Sequence, residues 1–154
     1  MKLDIGCGLK KHKGYIGIDK RRLPTVDIVL DLDKQKLPFP DNSVEEVLLY
    51  HVLEHLESPY KVMKEVIRVC RKGAIIKVRV PYQYHPNAFL DPEHKYVITP
   101  EWFRLFPELE ILEVKQHLPY GYPHKLLTFL LKAFRMRKIS FFQPDEWIII
   151  LRKK

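Results

Sequence analysis

Five short apolar runs, each bounded by turn residues, constrain the fold of this chain more than any other feature. The runs are rich in Val, Ile and Leu and lack the strict alternation of a half-exposed strand. Such runs are typical of strands that are buried on both faces, as in a parallel sheet, and they are short for buried helices. We therefore predict strands at residues 3–5, 15–18, 27–30, 44–50 and 74–80.

A helix is predicted between the fourth and fifth strands. Ser58 can cap its first turn, Pro59 suits its first position, and apolar residues follow at three-and-four spacing. Gly73 is the expected stop, directly after a group of basic residues that suits the end of a helix. A strand, a helix and a strand in this order form a right-handed crossover, which makes the two strands parallel.

The C-terminal part of the chain is predicted to add strands at residues 110–116 and 146–152. Residues 117–145 form an expected insertion with a second amphipathic helix, whose Leu and Phe face has a basic flank between Lys125 and Lys138. That flank suits a peripheral membrane contact or an anionic acceptor, and it equally suits a helix packed on the sheet with its lysines in water. Residues 1–154 are predicted to form a single domain.

Composition narrows the classes of partner and compartment. The formal net charge of +8 favours an anionic partner, such as nucleic acid, a membrane surface or a phosphorylated small molecule, although a solvated basic surface has the same charge. Cys7 and Cys70 show neither CxxC spacing nor paired histidines, so no disulfide framework and no metal site are expected, and a reducing cytoplasm is inferred. Many Lys and Glu with few Asn and Gln are typical of heat-adapted proteins.

The first two predicted strands end in residues that suit a nucleotide-like ligand. Gly6 and Gly8 follow the first strand, where glycine lets the backbone approach a ligand closely. Asp19 ends the second strand, where its carboxylate can accept hydrogen bonds from both hydroxyls of a ribose. Taken separately, the two glycines are also typical of an ordinary tight turn, and Asp19 is also typical of a surface carboxylate at a strand end.

Four motifs in order make the pattern more specific: LDIGCG at 3–8, GID at 17–19, LPFPDNS at 37–43 and HVLEHL at 51–56. Together they resemble the class I S-adenosylmethionine-dependent methyltransferase family over roughly residues 1–82. The segments at 81–82 and 87–95 are similar to a small subgroup with a shortened first helix. The resemblance implies an α/β fold, a Rossmann-like and mainly parallel sheet that ends in a C-terminal antiparallel strand pair.

The resemblance also implies a binding site for S-adenosylmethionine. Gly6 and Gly8 would pass beneath the methionine part of the cofactor, and Asp19 would hold the ribose. Asp31 and Leu32 would border the adenine, and His51 would face the sulfonium and its methyl group. The expected cofactor site comprises Gly6, Cys7, Gly8, Asp19, Lys20, Asp31, Leu32 and His51.

The connection between the first two strands departs from the usual pattern. Asp19 follows Gly8 at about half the ~20 residues that usually separate a glycine loop from the ribose acid. Residues 10–14 must therefore be a short connector in place of the first helix, which leaves one sheet face exposed or covered by something else and makes a homodimer plausible. Lys11 stands where the nicotinamide fingerprint has its third glycine, which disfavours an NAD enzyme.

Methyl transfer is an in-line displacement that needs positioning and often a base. His51, His94 and Asp91 are the predicted catalytic residues, with His51 as the first choice of base and His85 as a further candidate. The structural alternative for His51 is a strand-end histidine that is hydrogen-bonded to the backbone. The alternative for Asp91 and His94 is an ordinary polar surface loop. Six aromatic residues are expected either to line the acceptor pocket or to join the core: Tyr82, Tyr84, Phe89, Tyr96, Trp102 and Phe103.

The resulting hypothesis is a methyltransferase that acts on a small molecule or a cell-envelope precursor. Two alternatives stay open at this point. The positive charge suits an RNA methyltransferase, whose affinity for nucleic acid would depend strongly on salt. Alternatively, the shortened connection suits a non-catalytic domain that binds the cofactor or serves as a scaffold.

Overall fold

A computed structural model describes residues 1–117 and 144–154. These residues contain one sheet of seven strands. Two α-helices, α1 at Pro59–Val69 and the short α2 at Asn87–Leu90, and two 3₁₀ helices at Leu53–His55 and Pro100–Leu105 accompany the sheet. The strands are β1 at Lys2–Ile5, β2 at Ile16–Asp19, β3 at Ile28–Val29, β4 at Val44–Tyr50, β5 at Cys70–Pro81, β6 at Leu109–His117 and β7 at Glu146–Lys153.

The strand order is β3-β2-β1-β4-β5-β7-β6. The first five strands run parallel, and β7 lies antiparallel between β5 and β6. The expected Rossmann-like sheet with a C-terminal antiparallel pair is therefore confirmed. Strand order reverses between β1 and β4, and an open α/β sheet binds ligands outside the carboxyl ends of its strands at such a point.

No helix connects β1 to β2 in this structure, as the spacing of Gly8 and Asp19 predicts. Residues 6–15 instead form turns that return the chain to the parallel neighbour. The sheet face on this side carries charged side chains on three adjacent strands. Glu46 on β4 lies between Lys2 on β1 and Lys77 on β5, with N–O distances of 2.8 and 2.5 Å.

Helix α1 begins where the sequence predicts and ends earlier. Ser58 is its N-cap residue and Pro59 its first residue, but the Ser58 side chain makes no capping hydrogen bond. The helix ends at Val69, and Gly73, the expected stop, lies within β5 with a φ of 80°. The prediction of the helix end was therefore wrong, because the chain enters β5 directly at Cys70. The apolar face of α1 packs on the sheet through Val62, Met63, Val66, Ile67 and Val69.

Two further predictions concern the C-terminal part. The strands β6 and β7 match the expected positions, although β6 extends to His117, the first residue of the predicted insertion. The predicted helix with its basic flank between Lys125 and Lys138 lies outside the described residues. Within residues 1–117 and 144–154, no helix has the length and apolar character needed to cross a membrane.

Candidate functional site

The glycine turn after β1 presents bare backbone at the carboxyl edge of the sheet. Gly6 and Gly8 have φ angles of 69° and 51°, in the left-handed region that favours glycine. The Gly6 amide donates to the carbonyl of Ile18 at 2.7 Å. The Gly8 carbonyl accepts a hydrogen bond from the Thr25 hydroxyl at 2.5 Å. A Cβ on Gly6 would collide with the side chain of Val52, so only glycine fits beside this neighbour.

Asp19 ends β2 as a buried carboxylate next to this turn. Its Oδ2 accepts the backbone N–H of Gly8 at 3.0 Å, and its Oδ1 accepts the backbone N–H and Nε of Arg21 at 2.9 and 3.2 Å. Burial alone would raise the pKa of Asp19, but the hydrogen bonds from Arg21 and Gly8 outweigh it and lower that pKa. Asp19 is therefore an ionised acceptor at neutral pH. The Arg21 side chain is exposed, so it can leave Asp19 without unpacking the core.

A cavity of about 390 Å³ opens beside the turn and Asp19. This volume lies within the range of small-molecule sites, which runs from about 300 to 1,000 Å³. Buried Ile18 and Leu30 add apolar surface beside the acidic side chains, a combination that fits the nucleoside part of S-adenosylmethionine. Six of the eight predicted cofactor residues line the cavity: Gly6, Asp19, Lys20, Asp31, Leu32 and His51. The other two contribute differently, since Cys7 is buried and Gly8 donates to Asp19.

His51 lies directly after β4 with a φ of 54°. Its Nε2 is 2.9 Å from an oxygen of Glu146 on β7, and its Nδ1 is 3.3 Å from an oxygen of Glu54. Hydrogen bonds first to Glu146 and then to Glu54 raise the pKa of His51 to about 9. At neutral pH the ring is therefore an imidazolium, which has no free lone pair and cannot accept a proton. This charge state argues against His51 as the general base expected from the sequence.

A second cavity, of about 720 Å³, adjoins the first, and His51 and His55 line both. Asp91 and His94 also line it, so the structure brings the three predicted catalytic residues to one cavity. His94 Nε2 lies 3.6 Å from Asp91 Oδ2. His85 is not among the lining residues described, and its Nδ1 instead accepts the N–H of Asn87 at 3.2 Å.

The six aromatic residues predicted either to line an acceptor pocket or to join the core differ in their burial. Phe103 is in the core and Trp102 packs against it, whereas Tyr84, Phe89 and Tyr96 are exposed. None of the six is among the residues that line the second cavity. The described lining of this cavity includes three histidines and three carboxylates. The core alternative was correct for Phe103 and Trp102.

One group of side chains at the border of the two cavities is not predicted by the sequence. Glu54, His55 and His94 each place one potential metal-ligand atom within 4.8 Å of the other two. Glu54 and His55 are neighbours in the 3₁₀ helix at Leu53–His55, whereas His94 comes from the loop after α2. Only the adjacent pair is visible as a sequence signal, because the third residue is brought in by the fold.

Comparisons with known proteins agree with this geometry. Residues 7–78 match the model of a family described as a methyltransferase domain. A demethylmenaquinone methyltransferase of Renibacterium salmoninarum is 34% identical over 74 residues. The match covers 48% of this chain and 30% of that relative, so the chain matches about a third of the relative's length.

Solved structures resemble the chain over nearly its whole length. A S-adenosylmethionine-dependent methyltransferase from Archaeoglobus fulgidus has a TM-score of 0.69 at 18% identity, with 99% of this chain and 85% of that chain covered. A chain from the complex that contains the Haloferax volcanii Trm112 methyltransferase activator has a TM-score of 0.65 at 16% identity, with 99% and 81% covered. These likenesses show the class I methyltransferase fold. Together with the family match over residues 7–78, they confirm the resemblance seen in the sequence.

Proposed function

We propose that this protein transfers the methyl group of S-adenosylmethionine to a small-molecule acceptor. The observation that carries the proposal is the ionised carboxylate of Asp19, held by the N–H of Gly8 at the mouth of a cavity of about 390 Å³. A turn with left-handed glycines, an ionised acid at the next strand end and an apolar-lined cavity together suit a nucleoside with an amino-acid tail.

In the proposed complex, Asp19 accepts hydrogen bonds from the two ribose hydroxyls. A carboxylate has about four lone-pair sites, and Gly8 and the Arg21 backbone take only two of them. The ribose would therefore replace the side-chain donors of Arg21. Asp31 and Leu32, which also line the cavity, would border the adenine. The methionine part would then lie against Gly6, and His51, which also lines the cavity, would face the sulfonium and its methyl group.

The second cavity is the proposed acceptor site, because it shares His51 and His55 with the cofactor cavity. The bound cofactor supplies a methyl group on a sulfonium, which an acceptor atom displaces in line. The chain's own residues then position the acceptor, and His94 beside Asp91 is the proposed group that promotes loss of the acceptor's proton there. The relative that acts on demethylmenaquinone favours a small acceptor. The cavity volume of about 720 Å³ has room for one.

The cofactor half of the proposal is tested by titration calorimetry with S-adenosylmethionine and S-adenosylhomocysteine. Hydrogen bonds to a charged group are worth about 1.5–3 kcal/mol each, so we expect Asp19→Ala to weaken binding by about 100-fold. Arg21→Ala is the matched control, because an exposed ion pair of 0–1 kcal/mol changes the affinity by less than about fivefold. Micromolar binding that both variants retain would contradict the assignment of Asp19.

A cofactor analogue without ribose hydroxyls sharpens the same test. Wild type should bind 2′,3′-dideoxy-S-adenosylhomocysteine about 100-fold more weakly than the parent compound. Asp19→Ala should bind both equally, since the interaction is already lost. Equal sensitivity of the two proteins would show that Asp19 does not contact the ribose. Cofactor binding without methyl turnover on any acceptor would favour the scaffold alternative.

The net charge of +8 supports one further candidate, an RNA methyltransferase. Neutralisation of phosphates releases counterions, so such an enzyme would lose RNA affinity steeply as salt rises. We would measure RNA binding at two salt concentrations by fluorescence anisotropy. A steep loss together with methyl incorporation into RNA would favour this candidate over the small-molecule acceptor.

A further inference from the structure

We propose that Glu54, His55 and His94 form a binding site for one divalent transition-metal ion at the border of the two cavities. The three side chains each bring one potential ligand atom within 4.8 Å of the other two. A set of two imidazoles and one carboxylate suits Zn²⁺, Fe²⁺, Co²⁺ or Ni²⁺, and such three-residue sites keep open positions for a further ligand. Mg²⁺ prefers oxygen ligands and is disfavoured here.

Two buried atoms of the group lack any hydrogen-bond partner within the described part of the chain. They are Oε2 of Glu54 and Nδ1 of His94. The Glu54 residue is 1% exposed and the His94 side chain is 10% exposed, so water has little access to hydrogen-bond with either atom. A buried polar atom without a partner costs about 1–3 kcal/mol, which makes an unfilled ligand position the simplest account of both.

The outer contacts of the two histidines match those of metal ligands. A ligating histidine usually donates its other ring N–H to a carbonyl or carboxylate. His55 Nδ1 lies 3.3 Å from the carbonyl of Glu93, which leaves its Nε2 for an ion. His94 Nε2 lies 3.6 Å from Asp91 Oδ2, which leaves the unpartnered Nδ1 for the ion. Each ring therefore has one nitrogen next to a protein oxygen, hydrogen-bonded in His55 and at ion-pair distance in His94, and one nitrogen left free.

The backbone holds the distant ligand in place. The carbonyl of Glu54 accepts the N–H of Lys95 at 2.8 Å and that of Tyr96 at 3.3 Å, which ties the loop of His94 to the 3₁₀ helix. Lys95 Nζ also pairs with Glu57 at 2.7 Å. The three ligands are thus pre-positioned by contacts that are independent of an ion, a condition that raises metal affinity.

The position of the site defines a class of acceptor, a conclusion that rests on the proposed function. His55 and His94 line the second cavity, so an open position of the ion would face the acceptor. An ion there would lower the pKa of an acceptor hydroxyl and so activate its oxygen as the nucleophile. The hydroxyl proton passes to solvent, the oxygen forms a bond to the methyl carbon, and the S–CH₃ electron pair stays on sulfur as a neutral thioether. The acceptor class is therefore a hydroxyl compound, methylated on oxygen.

Metal binding is tested directly on the purified full chain, without any acceptor. Co²⁺ is titrated and followed by its visible absorption, and Zn²⁺ affinity is measured by competition with a chromogenic chelator. We expect one ion per chain, and a loss of at least about 100-fold in affinity for His94→Gln, beyond the 10–100-fold typical of outer partners. His85→Gln is the matched control, because His85 lies in the turn before α2 and outside the group.

His55→Gln is a second variant of the site, so the test does not depend on correct folding of His94→Gln alone. Circular dichroism checks the fold of both variants. Asp91→Asn should weaken binding by about 10-fold, because Asp91 only orients His94. Absence of stoichiometric Co²⁺ and Zn²⁺ binding by wild type, or equal affinities of wild type, His94→Gln and His55→Gln, would overturn the site. Calorimetry with S-adenosylmethionine is run separately, so failure of the metal site and failure of the cofactor assignment are distinguishable.

Discussion

The charged sheet face beside the missing first helix makes a quantitative prediction about acid stability. Glu46 lies between Lys2 and Lys77 on three adjacent strands, and its side chain is only 13% exposed. We predict that Glu46→Gln destabilises the protein at neutral pH. The loss should shrink as the pH falls below about 4.5, where the wild-type carboxylate starts to become protonated in the unfolded chain.

The magnitude follows from the shift in the pKa of Glu46, from 4.5 to about 2. Burial would raise this pKa, but hydrogen bonds from Lys2 and Lys77 outweigh it. One pKa unit corresponds to about 1.4 kcal/mol, so the ceiling is about 3 kcal/mol. The two lysines are 43% and 38% exposed, and solvent screening lowers the expected value to about 1–2 kcal/mol. Because the folded-state pKa is depressed, this stability is complete above pH 4.5 and disappears as the pH falls towards 2.

The assay is urea unfolding of wild type and variants from neutral pH down to about pH 3. Glu45→Gln is the matched control on the same strand, because Glu45 is 41% exposed and its nearest cationic atoms lie at 3.6 and 3.9 Å. It should lose less than about 0.5 kcal/mol. Equal losses for the two variants, or a Glu46→Gln deficit that stays constant down to pH 3, would refute the reasoning.

Two further predictions concern the glycine turn and the thiols. Gly6→Ala should cost about 2–4 kcal/mol in urea unfolding and abolish cofactor binding, because its Cβ meets Val52 in a left-handed backbone. Gly14→Ala, also left-handed but with open space around the new Cβ, should cost only about 1 kcal/mol, and an equal cost would contradict the packing argument. Burial raises the pKa of Cys70 to about 12 and also raises that of Cys7, so a thiol reagent at mildly alkaline pH should label neither until the protein unfolds.

The sheet could be predicted from the sequence because each strand has a local signal. Short apolar runs fix the positions of β1, β2 and β4, and the spacing between Gly8 and Asp19 leaves no room for a helix. The end of α1 could not be predicted in this way. Gly73 has the left-handed φ of a helix stop, but pairing of Cys70 with Val44 already draws the chain into β5, and the register shifts after that pair. Tertiary pairing therefore overrides a local helix signal.

The site was predictable to the extent that it lies at strand ends. Gly6, Asp19 and Asp31 line one cavity because parallel strands bring their carboxyl ends to one edge. The charge of His51 could not be inferred, since Glu146 reaches it from β7, far along the chain. The approach of His94 to Glu54 depends in the same way on a loop that local patterns do not place. Long-range electrostatics thus lie beyond what local sequence patterns indicate.

The short connector explains how the glycine turn persists without the first helix. Asp4 on β1 is buried on the side where that helix is missing, and an unpaired carboxylate there would be costly. His12 from the connector satisfies it, with its backbone N–H at 2.8 Å and its Nδ1 at 2.9 Å from one oxygen. Lys11 pairs with Asp27, which in turn accepts the N–H of Gly17 beside β1. Polar contacts therefore hold the connector, and the glycine turn keeps its geometry because its own hydrogen bonds run to β2 and to Thr25 and not to a helix.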